Sequence, residues 1–234
     1  MEGSLVAYKV FTNGSTLQAS EINENLMRQS VAVFSNAAAR TAAITAPVEG
    51  QMTYLEDVNL FQSWNGSSWI NPFGLTLLSD VSLSSLATVQ FTNVFSASFA
   101  HYRLIYRLNA NASSALTARM VTGTTPTSGG TDYAFSRQYW TGTGGIANNG
   151  GSNGGASFTI ISQSTGGPSA GYVDIFQPFL ALPTLFNGMS TYSAHIGEIL
   201  SARHALSNSY TGLQIDGGAG AMTGNIQIYG YRTN

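Results

Sequence analysis

The chain has 234 residues and a formal net charge of -2, and only 9% of its residues are charged, against about 25% in ordinary globular domains. The arginines are scattered and Lys9 is the single lysine, so we expect no nucleic-acid partner. Cysteine is absent, and no apolar run approaches the ~20 residues that span a bilayer, so we expect neither disulfides nor membrane insertion. A weakly charged polar surface favours packing among copies of the chain, with compositional bias as the alternative.

The first segment, residues 1–46, predicts one helix that attaches and oligomerises the chain. Ser20 is a favourable N-cap, and the helix is expected to run to about Ala43, before Pro47. Apolar residues at spacings of four, three and four form one narrow stripe, which consists of Met27, Val31, Phe34 and Ala38. This stripe predicts a short bundle of identical helices and hence a homotrimer, whereas packing on its own chain is the alternative.

The second segment, residues 47–79, predicts a small β-hairpin neck. Residues 52–54 and 60–64 are strand-like, and Asn65-Gly66 is a favourable two-residue turn. Tryptophans flank the turn on both sides, and we expect them to stack across the hairpin.

The third segment, residues 80–234, predicts an antiparallel β-sandwich head. Short runs of alternating apolar and polar residues replace helical periodicity, with Gly- and Ser-rich turns between them. This pattern favours a jelly roll, with an up-and-down barrel as the alternative. The candidate strands lie near residues 87–96, 99–110, 114–122, 133–140, 156–163, 171–180, 190–198, 201–208, 212–216 and 224–232.

Glycine dominates two stretches of the predicted head, residues 142–155 and 164–171. Chains of this composition lose much conformational entropy on ordering, so both stretches are expected to be exposed loops. The first stretch is not followed by Lys-Ser or Lys-Thr and opens no predicted helix, so it does not match a phosphate-binding loop.

The residues that carry enzyme chemistry are sparse, and we expect neither catalysis nor a cofactor. The acidic residues of the predicted head lie on different elements, so no local pair of carboxylates indicates acid–base catalysis. A zinc site formed by His195, Glu198 and His204 lacks a standard ligand spacing. Histidines that form structural contacts are the alternative, so we assign no metal site.

A ligand site is predicted beside the first glycine-rich stretch. Tyr133, Tyr139 and Trp140 lie at its border, and exposed aromatic rings next to loops commonly stack on sugars. The alternative is that these rings fill the core. A second candidate surface consists of Arg103, Arg107 and Arg119 on outward faces of neighbouring strands, which would accept an acidic ligand or contact another subunit.

Three stretches resemble proteins of tailed-bacteriophage virions. Residues 11–26 resemble the start of tail-fibre and other appendage proteins, in which a turn and an Ala-x-x-x-Asn helix opening precede the oligomerising part. Residues 47–57, with the Trp-Asn-Gly-Ser-Ser-Trp run at 64–69, are similar to a recurrent virion module that ends in such a hairpin. Residues 222–231 resemble the closing strand of phage β-sandwich head domains. The resemblance implies a multi-copy, often trimeric, virion component.

The leading hypothesis is therefore a short tail fibre or receptor-binding protein of the virion. Its N-terminal segment would contact other virion proteins, and its head would contact a host-surface glycan. A capsid fibre or decoration protein without receptor binding is the first alternative. A polysaccharide-degrading spike, with acidic groups from different subunits, is the second.

Overall fold

The computed structural model describes residues 13–14, 16, 18–22, 30–72, 74–110, 115–127, 129–141, 145–161, 167–192, 195–218 and 220–232. The chain forms two compact units, Met1–Gly74 and Leu75–Asn234. Across the described ranges, no helix is long and apolar enough to cross a membrane.

The described part of the first unit contains short helices and one small sheet. The helices are α1 (Ala19–Ile22) and α2 (Ala37–Ala43), and the strands are β1 (Ala32–Phe34), β2 (Met52–Leu55), β3 (Leu60–Trp64) and β4 (Trp69–Ile70). The strand order is β1-β2-β3-β4, with β1 parallel to β2 and the other pairs antiparallel.

The predicted continuous helix from Ser20 to Ala43 is wrong. Val31 precedes β1, Phe34 ends it and Ala38 lies in α2, so these residues form no helical stripe. Met27 lies outside the described residues. Parallel pairing of β1 with β2 overrides the local helical pattern, since a run rich in Val and Phe suits a strand. Asn36 then caps a new helix, because its side chain accepts a hydrogen bond of 2.9 Å from the Ala39 N–H.

The predicted hairpin is present, but its turn differs. Trp64 pairs with Trp69, and their ring centroids lie 5.5 Å apart. The connection is therefore residues 65–68, and only Gly66 of the Asn-Gly pair has a positive φ, at 93°. Asn65 instead stabilises the loop through its side-chain oxygen, which accepts hydrogen bonds from the Ser67 and Ser68 N–H groups.

Helix α2 packs on one face of this small sheet through Arg40. The Arg40 guanidinium lies 4.5 Å from the centre of the Trp69 ring, and its Nη1 donates a hydrogen bond to Gln62 Oε1. The predicted boundary at residues 46 and 47 therefore falls inside one unit, because segments on both sides contribute to one sheet.

The second unit is an antiparallel β-sandwich, as predicted. Its strands are β5 (Leu75–Leu86), β6 (Thr88–Phe91), β7 (Phe99–Ala110), β8 (Leu116–Thr122), β9 (Thr125–Pro126), β10 (Tyr133–Thr141), β11 (Ile146–Gly155), β12 (Phe158–Ile161), β13 (Pro168–Phe176), β14 (Thr184–Tyr192), β15 (His195–His204), β16 (Gly212–Asp216) and β17 (Met222–Arg232). The large sheet has the order β11-β10-β15-β14-β13-β7-β17-β5, and the opposing sheet has the order β12-β8-β16-β6, with β9 beside β8. Since β5 begins at Leu75, the unit starts before the predicted residue 80.

The strand pairing is that of a jelly roll. The pairs β5·β17, β6·β16, β7·β13, β8·β12 and β10·β11 are nested within one another along the chain. Successive pairs alternate between the large and the opposing sheet. One long antiparallel ribbon is thus rolled across both sheets, and β14 and β15 lie between β13 and β10 in the large sheet.

The first glycine-rich stretch is not the loop that its composition predicts. Residues 146–155 form β11, which pairs with β10 at the edge of the large sheet. Pairing uses backbone groups alone, so an edge strand that packs few side chains tolerates glycine. The second glycine-rich stretch, residues 164–171, is also not entirely a loop, because β13 begins within it at Pro168.

Strand alternation divides the large sheet into two faces. The inner face packs on the opposing sheet around buried residues such as Leu104, Val173, Phe186 and Leu200. The outer face carries the alternate positions, which β14 illustrates by strict alternation of buried and exposed residues.

Candidate functional site

Tyr133 belongs to the core rather than to a ligand site. It is 1% exposed, and its ring centroid lies 4.4 Å from that of His204. Its hydroxyl oxygen accepts a 2.7 Å hydrogen bond from the Met120 N–H and lies 2.7 Å from Thr127 Oγ1. Burial raises the pKa of Tyr133 to about 12. Tyr133 therefore fills the core, which is the alternative that the sequence analysis left open.

Tyr139 and Trp140 lie on opposite faces of the large sheet. Tyr139 is paired with Glu198, which is buried on the inner face, whereas Trp140 is paired with Gly197 on the outer face. The structure thus separates the predicted aromatic trio, and only Trp140 lies on the outer surface.

Gly197 leaves room for the Trp140 indole. A Cβ atom at position 197 would lie 3.3 Å from Trp140 Cε3, which is tighter than ordinary van der Waals contact. The indole therefore lies against the backbone of β15, half-buried, with its remaining surface available to a ligand.

Trp140 borders an open groove on the outer face, here called the Trp140 groove, with a volume of about 450 Å3. Its lining comes from strands β13, β14, β15 and β10 and includes Trp140, Ala170, Tyr172, Met189, Thr191 and Gly197. The larger side chains, Tyr172 and Met189, are paired across β13 and β14. Ala170 and Thr191 form the next pair and make a low floor beside them.

Arg103 holds the Tyr172 ring in place. Its guanidinium lies 4.6 Å from the centre of that ring. Asp174 anchors the guanidinium through two hydrogen bonds, 2.7 Å to Nε and 2.6 Å to Nη2. This hydrogen-bonded pairing raises the pKa of Arg103 above its ordinary value. One wall of the groove is therefore fixed before any ligand binds.

Three further carboxylates of the described head are engaged by polar partners. Glu198 pairs with Arg137 at 3.0 Å, and Asp216 pairs with Arg119 at 3.1 Å. Asp80 accepts hydrogen bonds from Asn225 and Gln227, which lower its pKa. These carboxylates lie apart from the Trp140 groove, whose walls are apolar.

The histidines do not assemble the conceivable zinc site. His204 is buried, and its Nδ1 lies 3.1 Å from the Tyr210 hydroxyl, while burial lowers its pKa. Glu198 points to Arg137 instead. The side chain of His195 lies outside the described residues. In the part of the chain that the structure describes, no three metal-ligating side chains come together.

The predicted arginine surface is also divided. Arg103 and Arg107 lie on β7 of the large sheet, whereas Arg119 lies on β8 of the opposing sheet and pairs with Asp216. The sequence missed Tyr172, Met189 and Gly197 as neighbours of Trp140. Their alternation places them on one face of their own strands, but no local signal gives the order of β13, β14, β15 and β10.

No protein-family model matches the chain, and no curated protein shows significant similarity to it.

Proposed function

We propose that the chain is a structural virion protein of a tailed bacteriophage, either a short tail fibre or another receptor-binding protein. Its jelly-roll unit would contact a glycan on the host surface through the Trp140 groove. The observation that carries this proposal is an aromatic groove on the outer face of a sheet whose opposite face is the core. The virion assignment is supported by the resemblance of residues 11–26, 47–69 and 222–231 to phage proteins.

A sugar fits the chemistry of this groove. Pyranose rings present apolar C–H faces that bury well against an indole, and their hydroxyls bond to polar groups at the rim. Trp140 supplies the flat surface, Tyr172 and Met189 supply an apolar wall, and Thr191 supplies a hydroxyl. Tyr172 is preorganised by Arg103, which reduces the entropy lost on binding.

Several copies of the groove would act together. One shallow site binds weakly, and linked copies raise the avidity without new contacts. A homotrimer joined to other virion proteins through the N-terminal unit would supply these copies. Val31 and Val33 of that unit are exposed and available to such contacts. Because Val33 lies in strand β1, these contacts would not use the predicted helical stripe. Light scattering of the purified chain tests the trimer, and a monomer at micromolar concentration would contradict it.

Labelled antibodies and a competition assay test the proposed function directly. Antibodies raised against the chain should label the tail of purified virions in electron micrographs. The purified chain should also compete with virions for adsorption to host cells. Labelling spread over the capsid, without competition, would instead support a decoration protein and contradict receptor binding.

A further inference from the structure

A row of side chains leads from the Trp140 groove across the large sheet to an arginine. Ala170 lies between Thr191 on one neighbouring strand and Arg107 on the other, so the three side chains form one row on the outer face. Beyond Thr191, across an irregular step between β14 and β15, the row reaches Gly197 and then its partner Trp140. A floor of small side chains therefore runs between an indole at one end and a guanidinium at the other.

Arg107 is exposed, and its side chain has no ion-pair or hydrogen-bond partner among the described residues. Arg103, two positions earlier on β7, differs because Asp174 occupies it in two hydrogen bonds. The negative charge of Asp174 is balanced by the same contact. The positive charge that remains available at this end of the row is that of Arg107, whose planar donors suit a bidentate carboxylate.

We infer that the glycan in the Trp140 groove is acidic, with a carboxylate that pairs with Arg107 while one sugar ring stacks on the indole. This inference rests on the proposed function. Four strand spacings of about 4.8 Å separate β7 from β10, about 19 Å in all, so the ligand contains more than one sugar unit. A polysaccharide segment with a uronic acid meets both requirements, whereas a neutral segment leaves Arg107 without a partner.

The test is an array of uronate-containing bacterial polysaccharides, each printed beside its carboxyl-reduced form and probed with the full chain. Reduction converts the carboxylate into a neutral alcohol and keeps the rest of the sugar. We expect the wild-type chain to bind an acidic member about tenfold more tightly than its reduced form. Arg107→Gln should remove this difference, and added salt should weaken only the acidic interaction.

Arg203→Gln is the matched control. Arg203 is exposed on the same face, opposite Leu185, and its side chain also has no ion-pair or hydrogen-bond partner within the described ranges. It lies six positions along β15 from Gly197, about 20 Å away at 3.3 Å per residue. Its replacement changes the net charge equally, so the variant should still distinguish the two forms as the wild type does.

The outcomes separate this inference from the proposed function. Equal binding of the acidic and reduced forms would overturn the acidic-ligand inference and leave glycan binding at Trp140 standing. An Arg107→Gln variant that still prefers the acidic form would also overturn the acidic-ligand inference. The same conclusion would follow if Arg107→Gln and Arg203→Gln lost this preference equally. If no member of the array binds and Trp140→Ala adsorbs like the wild type, both the inference and glycan binding in this groove are wrong.

Discussion

The two faces of the large sheet use the same residue types for opposite purposes. On the inner face Tyr133 is enclosed, and its hydroxyl is held by the Met120 N–H. On the outer face Trp140 and Tyr172 border an open groove. The residues alternate along shared strands, so a one-residue step separates a core position from a surface position. Aromatic residues that are close in the sequence therefore form a site only if their side chains lie on the same face of the sheet.

Ion pairs show the same contrast. Arg137 and Glu198 pair on the inner face with side-chain exposures of 10% and 0%, whereas those of Arg103 and Asp174 on the outer face are 32% and 19%. Loss of one partner in the enclosed pair leaves a charge in a poorly solvated place. Water can partly solvate the charge that remains in the outer pair.

The largest expected effect follows from removal of the enclosed carboxylate. Glu198→Ala should lower the free energy of unfolding by about 3–5 kcal/mol, because Arg137 would remain buried without its counter-charge. Asp174→Ala, the matched change on the outer face, should cost about 1 kcal/mol. Urea denaturation of both variants measures the difference. Equal losses would contradict the assignment of these pairs to differently solvated faces.

Alkaline unfolding should reveal the enclosed Tyr133. Its folded-state pKa is raised by burial to about 12, above the ordinary value of about 10. The free energy of folding that the buried, protonated Tyr133 contributes is complete below pH 10. It is lost as the pH rises toward 12, because the unfolded chain releases the tyrosine proton first. This group alone should reduce stability by about 1.4 kcal/mol per pH unit in that window.

Tyr133→Phe checks the origin of this decline. The variant should be less stable at pH 8, where the Met120 N–H loses its acceptor, by about 1–3 kcal/mol. Its stability should then fall less steeply above pH 10. Parallel curves for the variant and the wild type would show that Tyr133 does not titrate in a buried position.

Glycine substitutions on the two faces should give the smallest stability contrast. A Cβ at Gly171 would lie 2.4 Å from the Met189 carbonyl oxygen and 2.6 Å from the Tyr106 hydroxyl, so Gly171→Ala should cost about 1–3 kcal/mol. At Gly197 the nearest atom would be Trp140 Cε3, at 3.3 Å, and the indole can shift. Gly197→Ala should therefore cost less than about 1 kcal/mol.

Tryptophan fluorescence checks the second half of this contrast. Gly197→Ala should change the emission of Trp140. Trp64 and Trp69 lie in the other unit, so their emission should stay the same. Trp140→Phe provides the control, since the added Gly197→Ala change should then leave emission unaltered. An unchanged spectrum for Gly197→Ala alone would contradict contact between Gly197 and the indole.

The sequence predicted the sandwich because alternation is a local signal, and most of the predicted strands appear in the structure. The same alternation already separates Tyr139 from Trp140, so the division of the aromatic trio was accessible from the sequence. The prediction of the N-terminal helix was wrong because the apolar spacing of Val31, Phe34 and Ala38 is a local signal. Strand β1 instead depends on its pairing with β2. The partners of Trp140 come from β13 and β14, and their positions depend on strand order rather than on any motif.

The most direct test of the account compares Trp140→Ala with Leu185→Ala in a host-cell binding assay. Leu185 is 52% exposed on the same face but does not line the groove, so it controls for general loss of apolar surface. Both variants should keep the wild-type far-ultraviolet circular dichroism spectrum. Trp140→Ala should reduce binding by about tenfold or more, as expected for a central aromatic contact, while Leu185→Ala binds like the wild type. Wild-type binding by a folded Trp140→Ala variant would contradict the proposed site.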